Sequence, residues 1–82
     1  MSDIIPKIIH ELNNKNFKKA LKLCEKYSEN NDLHILNNLK GIIFINLKDH
    51  HKAIEYFKKS LIYKENYIEG YSNLANAYFS TK

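Results

Sequence analysis

The sequence predicts an all-α fold: five helices packed as antiparallel helix hairpins. Three observations lead there. Polar, Asn-rich breaks at 13–16 (NNKN), 29–32 (ENND) and 64–66 (KEN) divide the chain. They leave segments of roughly 11–14 residues, an ordinary length for a globular helix. Within the segments, apolar and small residues recur at i, i+3 and i+4, the spacing of one helix face. And the chain resembles itself at an offset of 33 or 34 residues, a period that belongs to stacked supersecondary units.

The expected helices run near 3–13, 17–29, 34–47, 50–63 and 67–80. The first, with Ile5, Ile9 and Leu12, is the least regular. The second, FKKALKLCEKYS (17–28), lies over the fourth, HHKAIEYFKKSL (50–61), so that Ala20 falls on Ala53, Leu21 on Ile54 and Cys24 on Phe57. The third contains GIIFI (41–45), which lies over ANAYF (75–79) in the fifth. Gly41 falls on Ala75, Phe44 on Tyr78 and Ile45 on Phe79. In each unit a small residue lets two helix axes approach and a large one fills the space beside it. Gly41 with Phe44 marks a first helix; Ala53 with Phe57 marks a second.

Composition sets further bounds. At 82 residues the chain is one small domain, and with 44% hydrophobic residues it is too apolar for a disordered tail. The longest apolar run, Ile42 to Ile45, is far short of a membrane span. No signal peptide is legible. The one cysteine, Cys24, has no internal partner, which points to a reducing, cytoplasmic setting. The net charge is +4, from thirteen lysines and no arginine. Arginine is the preferred residue for bidentate phosphate recognition, so its absence disfavours a dedicated nucleic-acid site.

Catalytic and metal chemistry find no foothold. His50 and His51 diverge by about 100° on a helix and cannot easily share one metal. His10 and His34 lack ligand-spaced partners. Cys24 falls where Phe57 falls in the next unit, so it reads as a buried small hydrophobe. The carboxylates are scattered among lysines at surface-pairing distances, as in Glu25 with Lys22 or Glu55 with Lys58 and Lys59. There is no Gly-rich phosphate loop and no nucleophile motif. The expectation is a non-enzymatic protein with no cofactor. Lys18, Lys19, Lys22 and Lys26, with Lys52, Lys58 and Lys59, read as solvated faces interleaved with acids.

These positions together resemble the tetratricopeptide repeat (TPR) family. His34 to Tyr67 matches best, through Gly41, Phe44, Ala53, Phe57 and Leu61, with Ser60 in place of the family's usual alanine. YIEGYSNLANAYF (67–79) is similar to the family's first helix, through Tyr71, Leu74, Ala75 and Tyr78. Repeat boundaries of 1–33, 34–67 and a partial 68–82 follow. The first repeat departs, with Ile8 at the small position and Glu11 at the aromatic one, and the family's proline is absent near Glu65.

The resemblance implies an α-solenoid with a right-handed superhelical stack. It also implies a concave groove, lined by the first helix of each repeat, that holds a protein or peptide. The positions that carry over are Ile5, Ile9 and Leu12, then Asn38, Ile42, Ile45 and Asn46, then Asn73, Asn76 and Phe79. The clamp by which some relatives grip a terminal carboxylate is not matched: Ile5, Ile9, Leu39 and Glu69 occupy its positions, and only Asn73 is polar without being acidic. An apolar-anchored extended or helical peptide is the better expectation. That some of these isoleucines are inter-helix core stays open.

The third unit stops after one helix, whose outer face carries Tyr71, Leu74, Tyr78 and Phe79. The expectation is a fragment of a longer array; pairing with a second copy through this helix, or a tolerated end, are the alternatives. A recruitment domain of a larger enzyme, such as a transferase, is the alternative to a free-standing interaction module.

Overall fold

Each periodic segment forms a helix. The computed structural model describes residues 4–27 and 33–81, in which the helices are α1 (Ile4–Asn13), α2 (Phe17–Lys26), α3 (Leu33–Asn46), α4 (His50–Tyr63) and α5 (Ile68–Ser80). Among the described residues there is no strand. Pro6 falls in the first turn of α1, where its missing N–H costs no intrahelical bond. Asp49 caps α4 by accepting from the Lys52 backbone N–H at 3.2 Å. The expected start at Asp3, the end of the second helix at 28–29 and the 29–32 break lie outside the described residues. The last described turn of α2 closes at Lys26, and Tyr27 is extended.

The α1–α2 and α3–α4 turns are built alike. In the first, the N–H of Lys15 donates to the Leu12 carbonyl and that of Asn16 to Glu11; in the second, Lys48 donates to Ile45 and Asp49 to Phe44. Each is a Schellman closure with a left-handed residue after the helix. That residue is a lysine both times, with φ of 62° at Lys15 and 67° at Lys48. No glycine marked these turns, so the sequence reading placed the breaks without their geometry.

Packing follows the chain order. α1 lies on α2, α2 on α3, α3 on α4 and α4 on α5; α3 also touches α1 and α5, whereas α2 and α4 are not in contact. α1, α3 and α5 therefore line one side of the molecule. α3 meets all four other helices, which explains why it is apolar around much of its circumference. The thinnest dimension is 16 Å. That accommodates two layers of helices at the usual 8–10 Å spacing.

The core has two parts. Ile4, Ile8, Ala20, Cys24, Leu36, Leu39 and Ile43 join α1, α2 and α3. Ala53, Phe57 and Ala77 join α4 and α5 beneath Phe44, Ile45 and Leu74. Ile42 packs against both. Gly41 is buried against Phe57 of α4, a contact across helices that the expected Gly41–Phe44 and Ala53–Phe57 pairs did not include: a Cβ there would meet the ring carbons Cδ1 at 2.5 Å and Cζ at 2.7 Å. Gly70 brings the start of α5 onto Ser60 and Leu61. Ser60 is fully buried and donates to the Phe57 carbonyl at 2.7 Å, so its hydroxyl is satisfied within α4.

Two expectations change. Ala75, aligned with Gly41, is exposed; the buried small residues of α5 are Gly70 and Ala77. Ala77 faces Phe57, and Ala75 sits about 200° around the helix from it. Glu11, which departs from the aromatic pattern, also has a role. It accepts from Asn16 Nδ2 at 2.8 Å and pairs with Lys19 at 3.5 Å. Thirty-three residues on, the counterpart of Lys19 is Lys52, and it lies over the ring of Phe44. A carboxylate in one hairpin stands where a ring stands in the next.

Candidate functional site

The side formed by α1, α3 and α5 carries two adjoining clefts. The first, about 490 Å³, lies between α1 and α3 and is lined by Ile9, Leu12, Asn13, Lys15, Phe17, Leu39, Ile42 and Asn46. The second, about 190 Å³, lies where α3, α4 and α5 meet, with Ile42, Ile45, Phe57, Asn73, Asn76, Ala77 and Ser80 around it. Ile42 belongs to both and forms their common wall. On α3, Ile42, Ile45 and Asn46 fall at i, i+3 and i+4, so helix geometry alone puts them on one face.

Apart from Lys15 and the Ser80 hydroxyl, the polar side chains here are asparagine amides, two of them fixed by hydrogen bonds. Asn46 donates from Nδ2 to the Ile42 carbonyl at 2.9 Å, which leaves its Oδ1 as an acceptor. Asn73 donates from Nδ2 to Oδ1 of Asn38 at 3.0 Å, which leaves its own Oδ1 likewise. Asn76, exposed on α5, lines the smaller cleft. The smaller cleft has no charged lining residue, and Lys15 is the one at the larger. At 190 Å³ the smaller cleft is below the 300–1,000 Å³ usual for small-molecule sites. It suits one apolar side chain better than a cofactor.

Of the residues expected in a groove, Ile9, Leu12, Ile42, Ile45, Asn46, Asn73 and Asn76 line these clefts. Three are placed otherwise. Ile5 is partly buried against the first core. Asn38 is only 5% exposed, and its carbonyl oxygen receives Asn73, so it fastens α3 to α5 instead of offering an open amide. Phe79 is 75% exposed and lines neither cleft. Leu39, Phe17, Ala77 and Ser80 join the lining. Leu39 was expected on this side only as an unmatched clamp position, and Phe17, Ala77 and Ser80 carry no groove signal in the sequence.

Three titratable side chains are shifted by their surroundings. Cys24 is buried, and burial pushes its thiol from 9.0 up to about 11, opposed by the charge of Lys40. Burial also raises the phenol of Tyr67, whose ring meets His34 edge-on at 5.0 Å. The Asn16 amide, followed by Lys19, holds the Glu11 carboxyl below its ordinary value. His10 is within 3.1 Å of the Asn14 amide. Among the described residues, no three of His, Cys, Asp and Glu gather as a metal site, and no helix is long and apolar enough to cross a membrane.

Comparison with family models, with curated proteins and with solved structures returned no match to this chain. The described residues form five helices and no strand, with two adjoining, mainly apolar clefts on the side of α1, α3 and α5. The likeness to TPR repeats rests on the positions quoted above.

Proposed function

We propose that this chain is a TPR-like, non-enzymatic interaction module that takes a peptide segment of a partner protein along the α1–α3–α5 side. The observation that carries the reading is the shared wall at Ile42. An apolar anchor can enter the smaller cleft while the neighbouring chain runs over Ile9 and Leu12. The acceptor oxygens of Asn46 and Asn73 suit backbone N–H groups, which every peptide has. Apolar anchors and amide contacts together favour a peptide over an ionic ligand.

The test is Ile42→Lys. Because Ile42 also packs against both cores, the companion variant Ile9→Lys, at a 42% exposed position of the larger cleft where a lysine can keep its ammonium in water, separates loss of binding from loss of fold. A phage-displayed random peptide library panned on the wild-type chain yields binders with apolar anchors. Their affinity falls at least tenfold on either variant, while circular dichroism at the assay temperature shows both variants folded. Binders that hold either variant equally well, or no enrichment over an unrelated helical protein, overturn the reading.

A second reading has its own observation. Ile68, Tyr71, Tyr78 and Phe79 are 74%, 54%, 46% and 75% exposed along α5. Such a patch suits contact with a second copy. Sedimentation velocity from micromolar to millimolar chain would show a rising mass that Tyr71→Lys abolishes. A constant monomer mass rejects it.

A further inference from the structure

On the opposite side of α3 from the groove, lysines gather around two stacked rings. Phe44 of α3 and Tyr56 of α4 are parallel to within 2°, with centroids 5.5 Å apart. Lys52 lies over Phe44 at 5.3 Å; Lys40 and Lys59 both lie over Tyr56, at 5.3 and 5.0 Å. Lys40 and Phe44 are each two residues from Ile42, so they point about 160–200° away from the groove. α2 and α4 do not meet, which leaves α3 as the floor between them.

No direct ion pair among the described residues engages this cluster. Among the described residues the one ion pair is Lys19 with Glu11, so the surface pairing expected for Glu25 and Glu55 is not formed. Asp49, three residues before Lys52, is engaged as the cap of α4. Glu55 is exposed on the same helix and pairs with none of the three. The two hairpins sharpen the contrast: where the first neutralises Lys19 with Glu11, the second holds Lys52 over a ring that brings no negative charge. Lys40 and Lys59 converge on one ring within about 10 Å of each other, a single Debye length at 0.1 M salt. The rings fix where the ammonium groups stand, so less side-chain freedom is lost when an anion arrives.

We propose that Lys40, Lys52 and Lys59, held by Phe44 and Tyr56, form a second binding face for an acidic, extended peptide segment. Spacing selects the ligand. Lys52 and Lys59 are seven residues apart on α4, about 10 Å along its axis. In an extended polyproline II chain, with three residues per turn and a rise of about 3.1 Å, carboxylates three residues apart fall on one face about 9 Å from each other. Nucleic acid fits less well: base stacking needs an open ring face, and here the rings cover each other and lysines cover them. Three point charges without arginine also make a short phosphate track.

The experiment is fluorescence anisotropy on the full chain at 50 mM salt. The probe is a labelled, glycine-spaced peptide with glutamate at every third position, compared with its glutamine counterpart and with single-stranded oligothymidylate. The glutamate peptide binds and the glutamine peptide does not. The combined variant K40Q, K52Q and K59Q weakens it at least tenfold. The variant K18Q, K22Q and K26Q, which removes the same charge from α2, leaves it within twofold. Equal weakening by the two variants, no binding of the glutamate peptide, or tighter binding of oligothymidylate each overturns the proposal. Circular dichroism confirms that both variants keep their helices.

Discussion

Gly41→Ala tests the packing logic at its tightest point. Two effects oppose each other. Alanine is the better helix former, by about 1 kcal/mol over glycine in a helix interior. Against this, the new Cβ would stand 2.5 and 2.7 Å from Cδ1 and Cζ of Phe57, where carbon atoms normally keep 3.5–4.0 Å. The ring must therefore withdraw by about 1 Å. Phe57 is 1% exposed among Ala53 and Ala77, so it has little freedom to do so. Overpacking of a filled core costs about 1–3 kcal/mol, and a clash with several ring atoms belongs at the upper end. The net expectation is a loss of about 2 kcal/mol after the helix gain.

In a domain of this size that loss lowers the melting temperature by roughly 8–16 °C. Urea unfolding followed at 222 nm supplies the free energy. The double variant Gly41→Ala with Phe57→Leu then isolates the pair. If ring and Cβ clash, the two changes couple by at least about 1 kcal/mol in the favourable direction. A Gly41→Ala variant as stable as wild type, or more stable, would refute the reasoning, because helix propensity would then have outweighed the contact.

Other outcomes follow from the same geometry. Lys48→Gly, and separately Lys15→Gly, relieves a left-handed side-chain conformation and should raise stability by about 1 kcal/mol in urea unfolding. Asn73→Ala strips the buried Oδ1 of Asn38 of its donor and should cost about 1–3 kcal/mol, whereas exposed Asn76→Ala should change stability by less than 0.5 kcal/mol. The Cys24 thiol titrates near 9.0 unfolded and about 11 folded, so above pH 9 the unfolded chain holds fewer protons. Stability is thus fully present below pH 9 and is lost as the pH rises toward 11, by roughly 2 kcal/mol. Tyr67, raised in the same direction, adds to that loss. Cys24→Ala should flatten the decline in melts recorded from pH 8 to 10.5; an unchanged slope would count against a buried thiol as its cause.

Much of this architecture was legible because helix periodicity and polar breaks are local signals. The α4 boundaries coincide with the expected ones, and the other helix ends that fall within the described residues agree to within three residues. Gly41 was readable as a small packing position and Cys24 as buried, since both depend on face and spacing, but that Gly41 meets Phe57 of the next helix was not. What failed needs a neighbour to be known. Ala75 shares Gly41's place in the pattern but lies under nothing, because burial depends on what covers a face. Asn38 and Asn73 look alike in sequence, yet one is buried as an acceptor and the other lines a cleft. That distinction arises only when α5 meets α3. The lysine turns at 15 and 48 carry no glycine to mark them. The rings that gather Lys40, Lys52 and Lys59 lie on two helices and were invisible to a reading of one helix at a time.

The central claim is that the α1–α3–α5 side receives a peptide. Its most direct measurement is a ¹⁵N–¹H shift map of the chain titrated with a peptide selected on it. The account predicts that perturbations concentrate at Ile9, Leu12, Ile42, Ile45, Asn46, Asn73 and Asn76, with the side-chain amides of Asn46 and Asn73 among them. Perturbations that instead concentrate at Lys40, Tyr56 and Lys59, or along Ile68, Tyr71 and Tyr78, would contradict it.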